Sequence, residues 1–368
     1  MPTLRPALVA ALISLPVSAR GQSDYLVFVA AEAADRISLI RWGPAGARVE
    51  RDLPIGINPM DPDGPHGLAV SPDGAFLYVS TAHGNPFGYL WKLDAASGRV
   101  AGRVELGNFP ASLDLTPDGA YALVVNFNLH GDMVPSSVSV VSTTEMVEVA
   151  RLTTCAMPHG SRLIPQGDRH YSVCMMDDIL VEIDARQLAV SRHFMLARGS
   201  EHGMDGPPRH RGMPGDHQRA EPPTCSPTWA QPAPTGDVVY VACNRSNEIV
   251  AVDARSWSVR ARWPGGDGVY NLGVTRDGRT LIATNKRARS VSLFDTASGR
   301  ETARLATKRS VVHGVAVSPD DRYAFVSVEG VGSEPGTLEV VDLARRSIVA
   351  SVDVGQMAGG VAFWRLEP

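Results

Sequence analysis

Long hydrophobic runs are missing from this chain beyond its first twenty residues, so no later segment reaches the length needed to span a bilayer. Clustered positive charge is equally scarce. The formal net charge is −4, and the one short basic run, Lys286-Arg287-Ala288-Arg289, reads as a solvated corner between strands. Neutralising a phosphate backbone needs many grouped Lys and Arg, so nucleic acid is excluded as a general partner. Cysteine appears four times, at 155, 174, 225 and 243, and never as C-x-x-C-H, which excludes covalently attached haem. A phosphate-cradling glycine loop ending in Lys-Ser/Thr and a nucleophile elbow are also absent. Nothing in the motif content points to catalysis; a non-enzyme is the first reading, and a copper- or other metal-binding redox or metal-handling protein is the alternative.

What is present begins with the N-terminus. Arg5 precedes an apolar stretch, 7–17, and Val17-Ser18-Ala19 supplies the small residues of a cleavage site. Residues 1–21 are therefore expected to be a secretory signal. The mature protein is expected to be a soluble, monomeric periplasmic or secreted protein, in a compartment where disulfides can form. Four cysteines allow three pairings, and sequence does not choose among them or the free thiols.

The 35 Gly and 27 Pro suit a chain with many turns, and they recur with a period. Ser71-Pro72-Asp73-Gly74 is matched by Thr116-Pro117-Asp118-Gly119, Ile164-Pro165-Gln166-Gly167, Ala233-Pro234-Thr235-Gly236, Thr275-Arg276-Asp277-Gly278 and Ser318-Pro319-Asp320-Asp321. Each is followed by a β-rich run: 76–80, 121–125, 170–174, 238–243, 280–284 and 323–328. Pro presets φ, and Gly takes the positive φ that such turns need. The second turn residues stand at 72, 117, 165, 234, 276 and 319, with spacings of 45, 48, 69, 42 and 43. The one outlier contains a His-, Met- and Pro-rich segment, 200–223. A period of roughly 40–50 with four strands per unit means radial blades. Six turns give six blades. The termini supply a seventh, in which the strand beginning at 357 completes the N-terminal strands 25–30, 37–41 and 47–53. The fold class is an all-β, seven-bladed β-propeller over 22–364, with a tail at 365–368.

The wording P-H-G-x-A-V-S-P-D-G-x-x-L-Y-V at Pro65, the Leu-Asp or Val-Asp corners at 94, 253 and 342, and the V-x-x-x-x-x-V-G exits resemble the YVTN-type seven-bladed propellers. The likeness covers about 25–364. Wider relatives of that fold are the propeller subunits of quinoprotein amine dehydrogenases and the propeller of nitrous oxide reductase. The resemblance implies an exported binding or scaffolding propeller, taking a partner protein or a small ligand; it does not imply a reaction.

The repeat also picks out candidate residues. Six positions before each turn proline, where a blade's first strand starts beside the central channel, stand His66, Ala111, His159, Thr228, Tyr270 and His313, with Gly359 from the closing strand. Three histidines on one axis, in blades 2, 4 and 7, would suit copper or zinc; the other reading is that they pack the channel entrance. Blade 4 departs from the repeat at Cys174-Met175-Met176-Asp177-Asp178. Pairing about its turn has a residue sum near 333, which sets Cys174 opposite His159. Cys174, Met175 and Met176 would add soft ligands favouring copper, whereas Met-Met is also ordinary packing and the acidic pair an ordinary solvated corner. The 200–223 segment, with His202, Met204, His210, Met213 and His217, is expected as a loop on the face where the ring histidines lie, as a lid or as bare surface. His83 sits in an enlarged corner of the same face. Tyr270, Thr228, His83 and His202 are the candidates for contact with a bound ligand.

Overall fold

The computed structural model of the chain describes residues 23–57, 62–81, 87–129, 131–208 and 222–368. The proposed signal sequence, His83, and His210, Met213 and His217 lie outside the described residues.

The strands form seven antiparallel sheets arranged as blades. Blade 2 shows the pattern: Pro65–Val70, Phe76–Thr81, Tyr89–Asp94 and Val100–Glu105, running from the axis to the rim. The inner three strands are apolar on both faces because each blade is covered by its two neighbours. Outer strands alternate, as in Val100–Glu105, because one face meets solvent. The apolar residues accordingly gather into seven cores, each between two successive blades.

The repeated turn has a clear physical basis. Ser71 Oγ donates to Asp73 at 2.5 Å and accepts from the Phe76 N–H at 2.8 Å, while Gly74 takes φ +72°. Thr116, Thr275 and Ser318 repeat the arrangement with Asp118, Asp277 and Asp320. The acidic corners are Asx turns: Asp94, Asp253 and Asp295 accept backbone N–H groups three residues on, at 2.7, 2.7 and 2.8 Å.

The ring closes as the sequence requires. Asp24–Ala31 pairs antiparallel with Ala358–Glu367, so blade 1 is built from both termini. The closing strand runs to Glu367, so 365–367, expected as tail, are part of the sheet. Arg41 clamps the seam, donating to Asp24 at 3.0 Å and Glu367 at 2.8 Å from Nη1 and to Glu50 at 3.0 Å from Nε. Closure leaves no open inner edge for another chain to extend.

Both disulfides occupy one repeat position. Cys155–Cys174 and Cys225–Cys243 each join the segment leading into a blade to that blade's second strand, in blades 4 and 5. The 200–223 segment is not wholly a loop. His202–Asp205 adds a fifth strand to the outer edge of blade 4, pairing with Ala189–Met195. Gly203 lies against Trp257, where a Cβ would come within 2.2 Å of the indole. The described part of the insertion is therefore at the perimeter, remote from the channel lid that its composition suggested.

Candidate functional site

In all seven blades the first strand carries a β-bulge at the channel residue. In blade 4, Ser161 pairs with Ser172, but Pro158 pairs with Cys174, leaving His159 and Gly160 in the bulge. The expected pairing of Cys174 with His159 is thus off by one residue. A bulge re-aims the side chain it carries, and here it turns the channel residues toward the axis.

The bulges are stitched round the ring. Ser80 Oγ donates to the Ala111 carbonyl at 2.6 Å, Thr228 Oγ1 to Tyr270 at 2.7 Å and Thr284 Oγ1 to His313 at 2.9 Å; Ser112 reaches His159 and Ser327 reaches Gly359. His159 makes the same stitch from an imidazole, its Nδ1 donating to the Thr228 carbonyl at 2.8 Å. A carbonyl only accepts, so Nδ1 carries the proton, and Nε2 accepts from the Tyr270 hydroxyl at 2.9 Å. The glycine of Pro-His-Gly follows from the same closeness: a Cβ on Gly67 would lie 2.1 Å from the Ala111 carbonyl.

The structure brings the ring candidates together. His66 and His313 stand at 90° with centroids 5.5 Å apart, and His66 and His159 are 6.4 Å apart. Tyr270 bridges His159 and His313 at 5.3 and 4.9 Å. Beside them runs a second circle, of which sequence reasoning picked out Met175 alone. It holds the residue after each second strand's pairing with the residue ahead of the ring: Glu32, Phe127, Met175, Asn244, Lys286 and Glu329 in blades 1, 3, 4, 5, 6 and 7. The signal was present in the repeat alignment, displaced onto the neighbouring strand.

This second circle divides the mouth. Across blades 6, 7 and 1 it is charged. Glu32 accepts from His66 Nδ1, Lys286 Nζ lies 3.6 Å from Glu329 and 4.4 Å over the Tyr270 ring, and His313 Nε2 is 3.8 Å from Glu329. Across blades 3 and 4 it is apolar: Phe109, Phe127, Ala111 and Met157 form a buried cluster against which Met175 packs. Burial holds the His159 imidazole down at about 3, and burial with the Lys286 charge holds His313 well below its ordinary value, so both are neutral at pH 7. Burial pushes the Glu329 carboxyl up against the pull of Lys286. Burial would lower the Lys286 ammonium, but Tyr270, Glu329 and Glu32 outweigh it and raise it. Lys286, read from sequence as part of a solvated corner, is turned into the site; Arg287 and Arg289 stay exposed.

The remaining predicted residues fall elsewhere. The Cys174 sulfur is bonded to Cys155 and has no lone thiolate to offer a metal. Met176 is exposed, and His202 lies on the rim strand with Nδ1 2.7 Å from the Ser200 carbonyl. Thr228 is buried, its hydroxyl used in the stitch. Asp178, expected in a solvated corner, is 4% exposed and accepts the backbone N–H groups of Thr224, Cys225 and Ser226. Among the described residues no group of three or more His, Cys, Asp or Glu side chains is arranged to hold a metal ion. Both nitrogens of His159 are bonded within the protein, and the sulfur of Cys174 is in a disulfide.

On the axis, the first strands of all seven blades enclose a cavity of about 30 Å³, bordered by His66, His159 and His313 at the mouth. His313 Nδ1, buried without a partner, is on this lining. No helix among the described residues is long and apolar enough to cross a membrane.

No family model matches the chain. A 94-residue stretch is 33% identical to Antigen Lp49 of Leptospira interrogans, covering 23% of this chain and 19% of that protein, so the match spans about a fifth of the curated relative's length. The fold is similar to that of a functionally unknown protein from Desulfotomaculum acetoxidans, with a TM-score of 0.66 at 15% identity over 92% of this chain and 98% of that one. It is similar also to a chain of hydrazine synthase from Kuenenia stuttgartiensis, with a TM-score of 0.63 at 20% identity over 82% and 89%. At those identities the likeness establishes the propeller architecture and leaves the function to the site.

Proposed function

We propose that this protein is an exported, non-catalytic binding propeller of the YVTN kind, and that its channel mouth takes an amphipathic small molecule or one protruding side chain of a partner protein. The polar end of the ligand meets Lys286, Glu329, His313 and Glu32, and its apolar body lies against Phe109, Phe127 and Met175. The observation that carries this reading is the division of one mouth into a charged arc and an apolar arc. The two disulfides are compatible with export.

Thermal unfolding in the presence of phenylacetate, benzoate, benzylamine and phenethylamine tests the reading. At least one of these should raise the melting temperature saturably, and the shift should shrink in both Lys286→Met and Phe127→Ala. A panel that leaves wild type unmoved, or shifts that survive both substitutions, would overturn it.

A further inference from the structure

Beyond the mouth, the axis carries a second polar feature that the ring histidines do not explain. Three residues past each ring position stand Ala69, Gly273, Ala316 and Ala362 in blades 2, 6, 7 and 1, all small, but Asp114, Arg162 and Gln231 in blades 3, 4 and 5. Arg162 is on the lining of the axial cavity. Its guanidinium stacks on Trp229 at 4.6 Å, and Nη1 donates to the Ser161 carbonyl at 2.9 Å. Among the described residues no carboxylate lies within 4 Å of it. Asp114 acts on it through space, its carboxyl accepting the Leu163 N–H at 2.9 Å and the Leu115 N–H at 3.0 Å and not a guanidinium N–H. Arg162 is half-buried; burial works against its charge and Asp114 favours it.

The rest of the lining has the hydrogen-bonding capacity to complete a site. Trp229 Nε1, Asn271 Oδ1 and His313 Nδ1 are all buried without a partner, and all three residues border the cavity. The indole is donor only, neutral imidazole donates from Nδ1 in one tautomer, and rotation of the Asn271 amide presents its NH₂ group. About 30 Å³ exceeds the minimum of roughly 10–15 Å³ that holds one water, and it leaves no room for an aromatic acid.

We propose that the axial cavity is a binding site for a small monovalent anion, a halide or the carboxylate of a one- or two-carbon acid, held by Arg162 with Trp229, Asn271 and His313. The site lies deeper than the mouth and stands whether or not the mouth binds the amphipathic ligand. Its ligand is smaller than any in the panel above, so the two readings fail separately.

The test uses the full-length disulfide-bonded protein in sodium gluconate at constant ionic strength, titrated with chloride, formate or benzoate and followed by thermal unfolding and calorimetry. Chloride and formate should bind saturably and compete for one site, and benzoate should not displace them. Arg162→Gln should weaken chloride binding at least tenfold. Asp114→Asn, which removes a nearby negative charge, should tighten it. Wild type with no saturable chloride or formate binding, benzoate displacing chloride, or Arg162→Gln binding like wild type each overturns the proposal. Should Arg162→Gln fail to fold, the competition and size limit in wild type decide the matter alone.

Discussion

Acid should unfold this propeller from within its blades, and His170 is the residue through which to show it. It lies fully buried between its cross-strand neighbours Leu163 and Ile183, with neither ring nitrogen bonded. Burial, assisted by the Arg162 charge, holds its imidazole down from 6.5 to about 3. Below pH 6.5 the unfolded chain therefore takes up a proton that the folded chain refuses. Stability from this group is complete above about 6.5 and is lost progressively as pH falls toward 3. Between pH 7 and pH 5 the loss is about 2 kcal/mol for His170, and the same again for His159, which is also held at about 3. Buried carboxyls with raised values, Glu329 and Glu339, act in the opposite sense, so the whole-protein slope mixes both. The difference between wild type and His170→Leu isolates the one group. Leucine also suits the apolar cluster containing Leu163 and Ile183. Guanidinium unfolding at pH 7, 6 and 5 should show the variant at least as stable as wild type at pH 7, and gaining about 2 kcal/mol on it by pH 5. A constant difference across the three pH values would refute the buried, neutral imidazole.

Two further outcomes follow from the stitched ring. Replacing Cys174 by Ala opens a loop closed over a sequence separation of 19 and should cost about 3 kcal/mol, read as a lowered guanidinium midpoint in non-reducing buffer; an unchanged midpoint would mean the bond adds nothing to blade 4. His159→Asn keeps an N–H donor for the Thr228 carbonyl and should retain most of the stability that His159→Ala loses, about 1–3 kcal/mol by denaturant unfolding. Equal losses in both variants would remove the stitching role assigned to this imidazole.

The amphipathic division of the mouth was legible in part. Repeat alignment alone found His66, His159, Tyr270 and His313, because each occupies the same place in its blade. It missed Lys286, Glu329 and Glu32 because these sit after the second strand, where the run Lys286-Arg287-Ala288-Arg289 looks like any charged corner. Arg162 was hidden for a different reason: its meaning depends on the small residues at its level in four other blades. The Cys174 expectation failed on a bulge, since counting residues across a hairpin assumes an unbroken ladder. The insertion misled through composition, which says nothing about whether an edge strand is free to accept it.

By itself the sequence determined the number of blades, their turns, the closing strand and the identity of the inward ring, because these are consequences of a local unit repeated at a fixed spacing. Only the tertiary structure decided how the ring residues are engaged. Whether an imidazole nitrogen is free or bonded to the next blade, whether a thiol is free or bridged, and which charges face one another across the axis all depend on residues 18 to 111 positions apart. Periodicity carries no information about such pairs, since distances across a closed ring follow from its closure.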